Sequence, residues 1–350
     1  MTEPQHALRL HAPADDGGAG ELRLDELPAP TLDEHEVLVR VEASVLDPDD
    51  LAATAGAIRP RGLPRTLGRG GAGVVVAAGT ASDDWAAGDP VAIDGGASCG
   101  RCVYCTTGRD NLCVAGRRLG LERDGTHARL VVVDGRHLVP APGDVDPAQV
   151  AMLTRTVAVP YHALKRAGVG EDVTLAVHGC GGRGLHAVLL AQLAGAEVVA
   201  VDADAARRDT ALAWGAIAAV DATGGDVGAR VREVTEGGVD CSLELTGRSE
   251  QLRAAVESLR PGGRAALVGT GLGALPGAVL DRLTADELDV VGAGDPTLQD
   301  LGELLDLLAD HRLDLSRSLP RRVATHELPD VLAELREVDG DPDLVVASPG

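Results

Sequence analysis

Cys99, Cys102, Cys105 and Cys113 place four of the chain's six cysteines within 15 residues. Four thiolates at spacing C-x2-C-x2-C-x7-C can wrap a loop around one tetrahedral Zn²⁺. With every position taken by protein sulfur, such a site is closed and structural. It leaves no place for water or substrate. In a reducing compartment the crowding favours metal over disulfides. The alternative, four free thiols in a loop, is disfavoured because exposed clustered thiols oxidise readily. Cys180 and Cys241 lie outside the cluster and read as small buried hydrophobes.

The segments around this lobe change texture near residue 150. HEVLVRVEASVL (35–46) alternates apolar and polar residues, as a half-buried strand does. LGRGGAGVVVAAG (67–79), GDPVAI (88–93) and ARLVVVDG (128–135) add turns and further strands. Beyond VAMLTRTVAVPYHALKRAG, a helix expected to stop at Gly168, strands and helices alternate: DVTLAVH, RGLHAVLLAQLAG, EVVAVD, ARRDTALAWG, VDCSLEL, LRAAVESLR, RAALVG. That alternation predicts a parallel sheet with helices on both faces. Helices LQDLGELLDLLADH and LPDVLAELREV and a last strand LVVAS close the chain. The 350 residues suffice for two domains, and 45% apolar content makes them globular.

A net charge of −22 would repel phosphate backbones, so nucleic acid is not an expected partner. There is no apolar run of 18 residues, and MTEPQHALRL lacks a signal peptide's basic start and apolar core. The expectation is a cytoplasmic protein with no membrane partner. Acidic stretches at 14–16 and 339–343 read as solvated surface.

A second motif is Gly179-Cys-Gly181-Gly-Arg-Gly184. It follows a strand and opens a helix, and a second strand ends at Asp202. This is the context that a dinucleotide fold requires. The glycines let backbone approach a pyrophosphate at a helix N-terminus. Asp202 can accept from an adenosine ribose and would repel a 2′-phosphate, favouring NAD(H) over NADP(H).

Taken together, HEVLVRVEAS, LGRGGAGVV, GDPVAI, the CGRCVYC–NLC lobe, VPYHALKRAG and the fingerprint occur in the order of the zinc-type medium-chain alcohol dehydrogenase family. The chain resembles that family nearly end to end. The resemblance implies an α/β fold: a Rossmann-type nucleotide-binding domain plus a mostly β, GroES-like catalytic domain built from both chain ends. The expected boundaries are 1–155 (catalytic, with the zinc lobe at 95–115), 156–291 (Rossmann) and 292–350 (return to the catalytic domain). A homodimer or homotetramer acting on a small molecule is also implied.

The family's catalytic zinc ligands do not carry over. Its first cysteine falls on Leu46, the histidine of its G-H-E triplet on Arg69, and its third ligand on Arg155. Leucine cannot ligate zinc, and a guanidinium repels it. The hydroxyl of the family's proton relay falls on Pro48, and a nearby histidine on Leu51. A basic or histidine residue that often contacts the pyrophosphate falls on Asp47, and Arg183 sits inside the fingerprint. Arg207 matches a Lys or Arg that the family often has near the ribose. His127 falls where the family often has an aromatic and reads as packing, as do His162, His178, His186 and Tyr104.

Two readings stay open. One is a zinc-independent oxidoreductase, reducing an activated C=C or C=N bond of a specialised metabolite, with Arg155, Arg69 and Asp49 as catalytic candidates and the two arginines as fixed charges or as a clamp for a substrate carboxylate. The plain alternative is that Arg69 merely pairs with Asp49 and Arg155 fills space. The other is a non-redox enzyme (elimination, cyclisation or isomerisation) or a ligand-binding protein, with Arg183 paired to Asp47 and the nicotinamide seat blocked. The expected cofactors are one structural Zn²⁺ and NAD(H).

Overall fold

The computed structural model describes residues 4–14, 20–96, 98–269, 277–337 and 344–349. Most of both acidic stretches therefore lies outside the described residues. The chain forms two units, residues 1–158 with 296–350, and residues 159–295.

The first unit is built on strands β1 (Gln5–Ala12), β2 (Glu21–Leu27), β3 (Glu36–Val45), β4 (Arg65–Thr66), β5 (Gly70–Ala78), β6 (Pro90–Ile93), β7 (Leu130–Asp134) and β8 (Leu138–Pro140). The second contributes β9 (Thr174–His178), β10 (Glu197–Asp202), β11 (Ala218–Asp221), β12 (Val239–Glu244), β13 (Leu259–Leu267) and β14 (Asp289–Gly292). The chain then returns to the first unit with β15 (Arg321–Ala324) and β16 (Val345–Ser348).

In the first unit β2-β1-β4 form a small antiparallel sheet. A larger sheet runs β15-β16-β3-β5-β6-β8, with β7 also pairing β3. The alternation of β3 buries Val37, Val39 and Val41 against Val75, Val91, Ile93, Val131 and Val133. A second apolar cluster gathers Leu8, Leu46, Leu328, Val331, Leu332, Val345 and Ala347.

Short helix Pro48–Thr54 starts at Asp47, whose side chain accepts from the Asp49 N–H, while Asp50 reaches back to the Asp47 N–H. This reciprocal capping, with Pro48 at the first helical position, fixes where the helix begins. A later helix starts at Asp146 and runs as α-helix over Pro147–Met152, as a π turn over Leu153–Val157, and again as α-helix over Ala158–Ala167. Arg155 lies in the π turn, a distortion often found at functional sites. β5 begins beside it: a Cβ on Gly70 would stand 2.3 Å from Thr154 Oγ1 and 2.8 Å from Arg155 Cγ. Only glycine permits that approach.

The second unit is one parallel sheet in the order β11-β10-β9-β12-β13-β14. The strand order reverses between β9 and β12. In open sheets of this kind ligands bind outside the C-terminal strand ends at such a switch point. Gly179 leaves β9 with φ +95°, and helix Gly182–Leu193 follows.

Candidate active site and metal centre

The four cysteines converge. All their sulfurs lie within 4.8 Å of one another, and this is the one group of metal-binding side chains among the described residues. Cys102 Sγ is 3.4 Å from Cys105 Sγ and 3.9 Å from Cys113 Sγ, and Cys99 Sγ is 3.9 Å from Cys105 Sγ. Tetrahedral coordination at a Zn–S distance of about 2.3 Å requires sulfurs roughly 3.8 Å apart, so the set fits one zinc. Cys99 N–H donates to Cys113 Sγ at 3.2 Å. The amides of Arg101 and Cys102 lower the Cys99 thiol to about 6, while burial pushes Cys113 up to about 11. Tyr104, inside the loop, lies under the Arg109 guanidinium at 5.4 Å. Cys180 and Cys241 are buried and pushed up to about 12 and about 11 by burial, so both stay neutral thiols.

Leu46, Arg69 and Arg155, on which the resemblance puts the family's catalytic ligands, all sit in the first unit. Leu46 is fully buried in the apolar cluster with Leu8, Leu328 and Val345. Arg155 Nε donates to Asp47 Oδ2 at 2.7 Å, and the two side chains are 4% and 1% exposed. The Asp47 carboxylate thus has a buried partner, Arg155, that sequence reasoning did not name. Arg69, also buried, donates through Nη1 to Asp49, whose carboxylate is partly exposed. Both carboxylates flank Pro48 at the start of helix Pro48–Thr54.

Beneath these pairs lies a buried network that the sequence did not disclose. His127 Nδ1 is 2.7 Å from Ser44 Oγ, and His127 Nε2 is 3.3 Å from Asp50 Oδ2. Ser44 Oγ is 2.7 Å from Thr126 Oγ1, which donates to the Gly70 carbonyl at 3.0 Å. Asp50 also accepts the backbone N–H groups of Asp47 and Gly68, each at 3.0 Å. The order Ser–His–Asp is that of a hydrolase triad. However, the Ser44 hydroxyl is shared between His127 and Thr126, and Asp50 is occupied by two backbone N–H groups, so the set is a structural network. The network instead ties helix Pro48–Thr54 to the 68–70 turn, and so fixes the backbone that carries Asp47, Asp49 and Arg69. Only an aligned family position marked His127, and its partners are some 80 residues away in sequence.

In the second unit the fingerprint is closely packed. A Cβ on Gly184 would stand 1.9 Å from the Gly179 carbonyl oxygen, so the helix can meet the strand end only with glycine there. Gly181 caps the helix. Asp202, at the end of β10, accepts the Cys180 N–H at 2.7 Å and the Asp204 N–H at 2.8 Å. Its carboxylate therefore bridges the glycine loop and the turn after β10. The Arg207 N–H donates to Asp204 at 3.3 Å in the first turn of the next helix. Arg208, which sequence reasoning passed over, donates to the Asp202 and Ala203 carbonyls at 2.8 and 2.9 Å.

Two histidines of this unit are buried in its packing. His178 is fully buried, 3.2 Å from Gln251 Oε1, and burial lowers it to about 4. His186 is 2.7 Å from the Gly182 carbonyl and edge-on to Trp214. Glu244, at the end of β12, is held by Thr246 and the Gly247 N–H, and burial raises it above the usual carboxylate range.

The comparisons with known proteins agree with this architecture. Residues 33–143 match the alcohol dehydrogenase GroES-like domain, and residues 182–310 match the zinc-binding dehydrogenase domain. An alcohol dehydrogenase of Geobacillus stearothermophilus is 31% identical over 82% of this chain and 85% of its own. A sorbitol dehydrogenase of Halalkalibacterium halodurans is 30% identical over 89% of this chain and 90% of its own. Among solved structures, a protein assigned as a zinc-binding dehydrogenase from Sinorhizobium meliloti 1021, bound to NADP, superposes with a TM-score of 0.86 at 30% identity. It covers 99% of this chain and 100% of its own. The chain belongs to the zinc-type medium-chain dehydrogenase/reductase family, as an alcohol dehydrogenase-like oxidoreductase with a GroES-like and a Rossmann-type domain.

Proposed function

We propose that this chain is an NAD(H)-dependent oxidoreductase that works without a catalytic zinc, reducing an activated C=C or C=N bond in a small specialised metabolite. The observation that carries the reading is the buried ion pair Arg155–Asp47 and the half-buried pair Arg69–Asp49, whose arginines stand at positions where the resemblance puts metal ligands. A guanidinium there repels a divalent cation. The third position, Leu46, has no donor atom.

Bound dinucleotide would supply the hydride. Gly179, Gly181 and Gly184 would seat its pyrophosphate, Asp202 would accept from its ribose, and Arg207 would stand beside them. Arg155 and Arg69 would supply fixed positive charge where negative charge develops on the substrate, a role that needs no Lewis acid. Asp47 and the buried hydrogen-bond network would hold both cations in place. The four cysteines would hold one structural zinc. The rest of the reading is a cytoplasmic homodimer or homotetramer. Among the described residues no helix is long and apolar enough to cross a membrane.

The test is NADH fluorescence on the purified protein, followed by NADH consumption with conjugated enones and imines and NAD⁺ reduction with simple primary alcohols. The expected result is NADH binding, turnover of an activated double bond, and no alcohol oxidation with or without added zinc. Zinc-dependent ethanol or benzyl alcohol oxidation would overturn the zinc-free site. No change in NADH fluorescence would return the chain to the non-redox reading.

A further inference from the structure

A buried His–Asp pair that the proposed chemistry does not use lies at the base of the zinc lobe. Asp94 directly follows β6, and His137 directly precedes β8. The two strands pair with Ile93 opposite Leu138, so their register sets Asp94 and His137 side by side. The Asp94 N–H donates to the His137 carbonyl at 3.0 Å, and His137 Nδ1 is 2.9 Å from Asp94 Oδ2. Asp94 is 7% exposed and His137 is 1% exposed. The lobe leaves the sheet at this point. It returns where the Leu119 N–H donates to the Gly95 carbonyl at 3.0 Å.

The other ring nitrogen meets the lobe. His137 Nε2 is 2.7 Å from the Ser98 nitrogen and 3.2 Å from Ser98 Oγ. A backbone N–H can only donate, so Nε2 accepts and the ring proton sits on Nδ1, where Asp94 accepts it. Ser98 immediately precedes Cys99, and the Cys99 N–H in turn donates to Cys113 Sγ. Arg136, in the same 3-10 turn Gly135–His137, also reaches the loop. A Cβ on Gly100, which has φ +70°, would collide with Arg136 Nη1. Asp134 clamps this guanidinium through Nε at 3.0 Å and Nη2 at 2.7 Å. Four thiolates around Zn²⁺ leave excess negative charge, which Arg136 would offset. Its side chain is 52% exposed, however, and solvent screens an exposed charge, so the larger effect falls on the buried imidazole.

We propose that His137, oriented by Asp94, is a positioning residue for the zinc site: it takes the Ser98 N–H and so presets the backbone that delivers Cys99 to the metal. The inference rests on the reading of the four cysteines as a zinc site. A loop already held in its binding conformation loses less freedom when the ion arrives, which strengthens binding. Outer groups that orient metal ligands are commonly worth about ten- to a hundredfold in metal affinity.

The test is competition for Zn²⁺ between the full chain and a chromophoric chelator, with melting temperatures measured alongside. His137→Phe keeps a ring and removes the acceptor. It should weaken zinc about ten- to a hundredfold and speed its loss to the chelator. His137→Gln offers an amide oxygen to the Ser98 N–H and should recover most of the affinity. Asp94→Asn, which can still accept from Nδ1, should fall between, and Arg136→Gln should cost less than His137→Phe. If His137→Phe does not fold, His137→Asn, too short to reach Ser98, takes its place in the comparison with His137→Gln. Val199→Ala opens a cavity in the second unit, and should lower the melting temperature with zinc affinity unchanged. Zinc affinity unaltered in His137→Phe would overturn the proposal, as would a His137→Gln protein no better than His137→Phe. A loss in Val199→Ala equal to that in His137→Phe would make zinc affinity a measure of general stability and overturn it too. An unaltered protein that takes up no zinc would overturn the zinc reading itself, and this inference with it.

Discussion

The Arg155–Asp47 pair can be weighed by a double-mutant cycle. Its side chains are 4% and 1% exposed, so each charge has given up nearly all its water. Removing one partner of a buried pair leaves the other uncompensated, at a cost of about 3–5 kcal/mol. Arg155→Met should therefore destabilise by that amount. Asp47→Asn should do the same while keeping an acceptor for the Asp49 N–H that Asp47 now meets at 2.9 Å. With both replaced, neither charge of the pair faces the other's neutral substitute, and swaps of buried pairs for neutral groups are often close to neutral. The double variant should lose less than about 2 kcal/mol, against roughly 6–10 kcal/mol for additive singles. In a unit of this size each kcal/mol moves the melting temperature by about 2–4 °C, so the singles should fall by roughly 6–20 °C. The assay is urea and thermal denaturation of all four proteins, followed through Tyr and Trp fluorescence. Singles that add without coupling would refute the claim that the two charges hold each other.

The remaining predictions concern turnover, zinc, cofactor and pH. Arg155→Ala should lower turnover of the true substrate roughly a hundredfold, in line with losses seen for oxyanion donors, and Arg155→Lys should restore only part of it; near-normal turnover with only a lower melting temperature would make Arg155 a structural filler. Elemental analysis should find one zinc per chain, and Cys102→Ser should lose the metal and melt lower, since structural zinc affinity is folding free energy; two zincs per chain would contradict the site assignments. Calorimetry should show tighter NADH than NADPH binding, with the preference relaxed in Asp202→Ala. Asp202→Asn keeps acceptors for the Cys180 and Asp204 amides, so it separates lost charge from lost scaffold. His178 is lowered to about 4 from an ordinary value near 6.5, so the unfolded chain takes up a proton that the folded chain refuses. That stability is fully present above about pH 6.5 and is lost as pH falls towards 4, by roughly 3 kcal/mol. His178→Leu should flatten that part of the stability–pH curve.

How much of this was legible in the sequence depends on how local each signal is. The cysteine cluster spans 15 residues, and its spacing is its geometry, so the sulfurs meet as the spacing implies. The fingerprint is local too, with strand, turn and helix contiguous from Thr174 to Leu193. The helix expected to stop at Gly168 ends at Ala167, because glycine and the polar turn after it end the apolar periodicity. The π turn inside that helix left no trace in the sequence. It lies where Gly70 comes close to Thr154 and Arg155, an approach made across some 84 residues. Distance along the chain hid the rest. Asp47 meets Arg155 across 108 residues, and His127 meets Ser44 across 83. Periodicity says nothing about contacts of that range. Family resemblance located the positions of Leu46, Arg69 and Arg155, but not their partners. Electrostatics supplies the connection. A buried arginine requires a counter-charge within reach, and the start of helix Pro48–Thr54 offers two carboxylates on either side of Pro48. Asp49 was matched to Arg69 on that reasoning. The same reasoning, applied to Arg155, leads to Asp47.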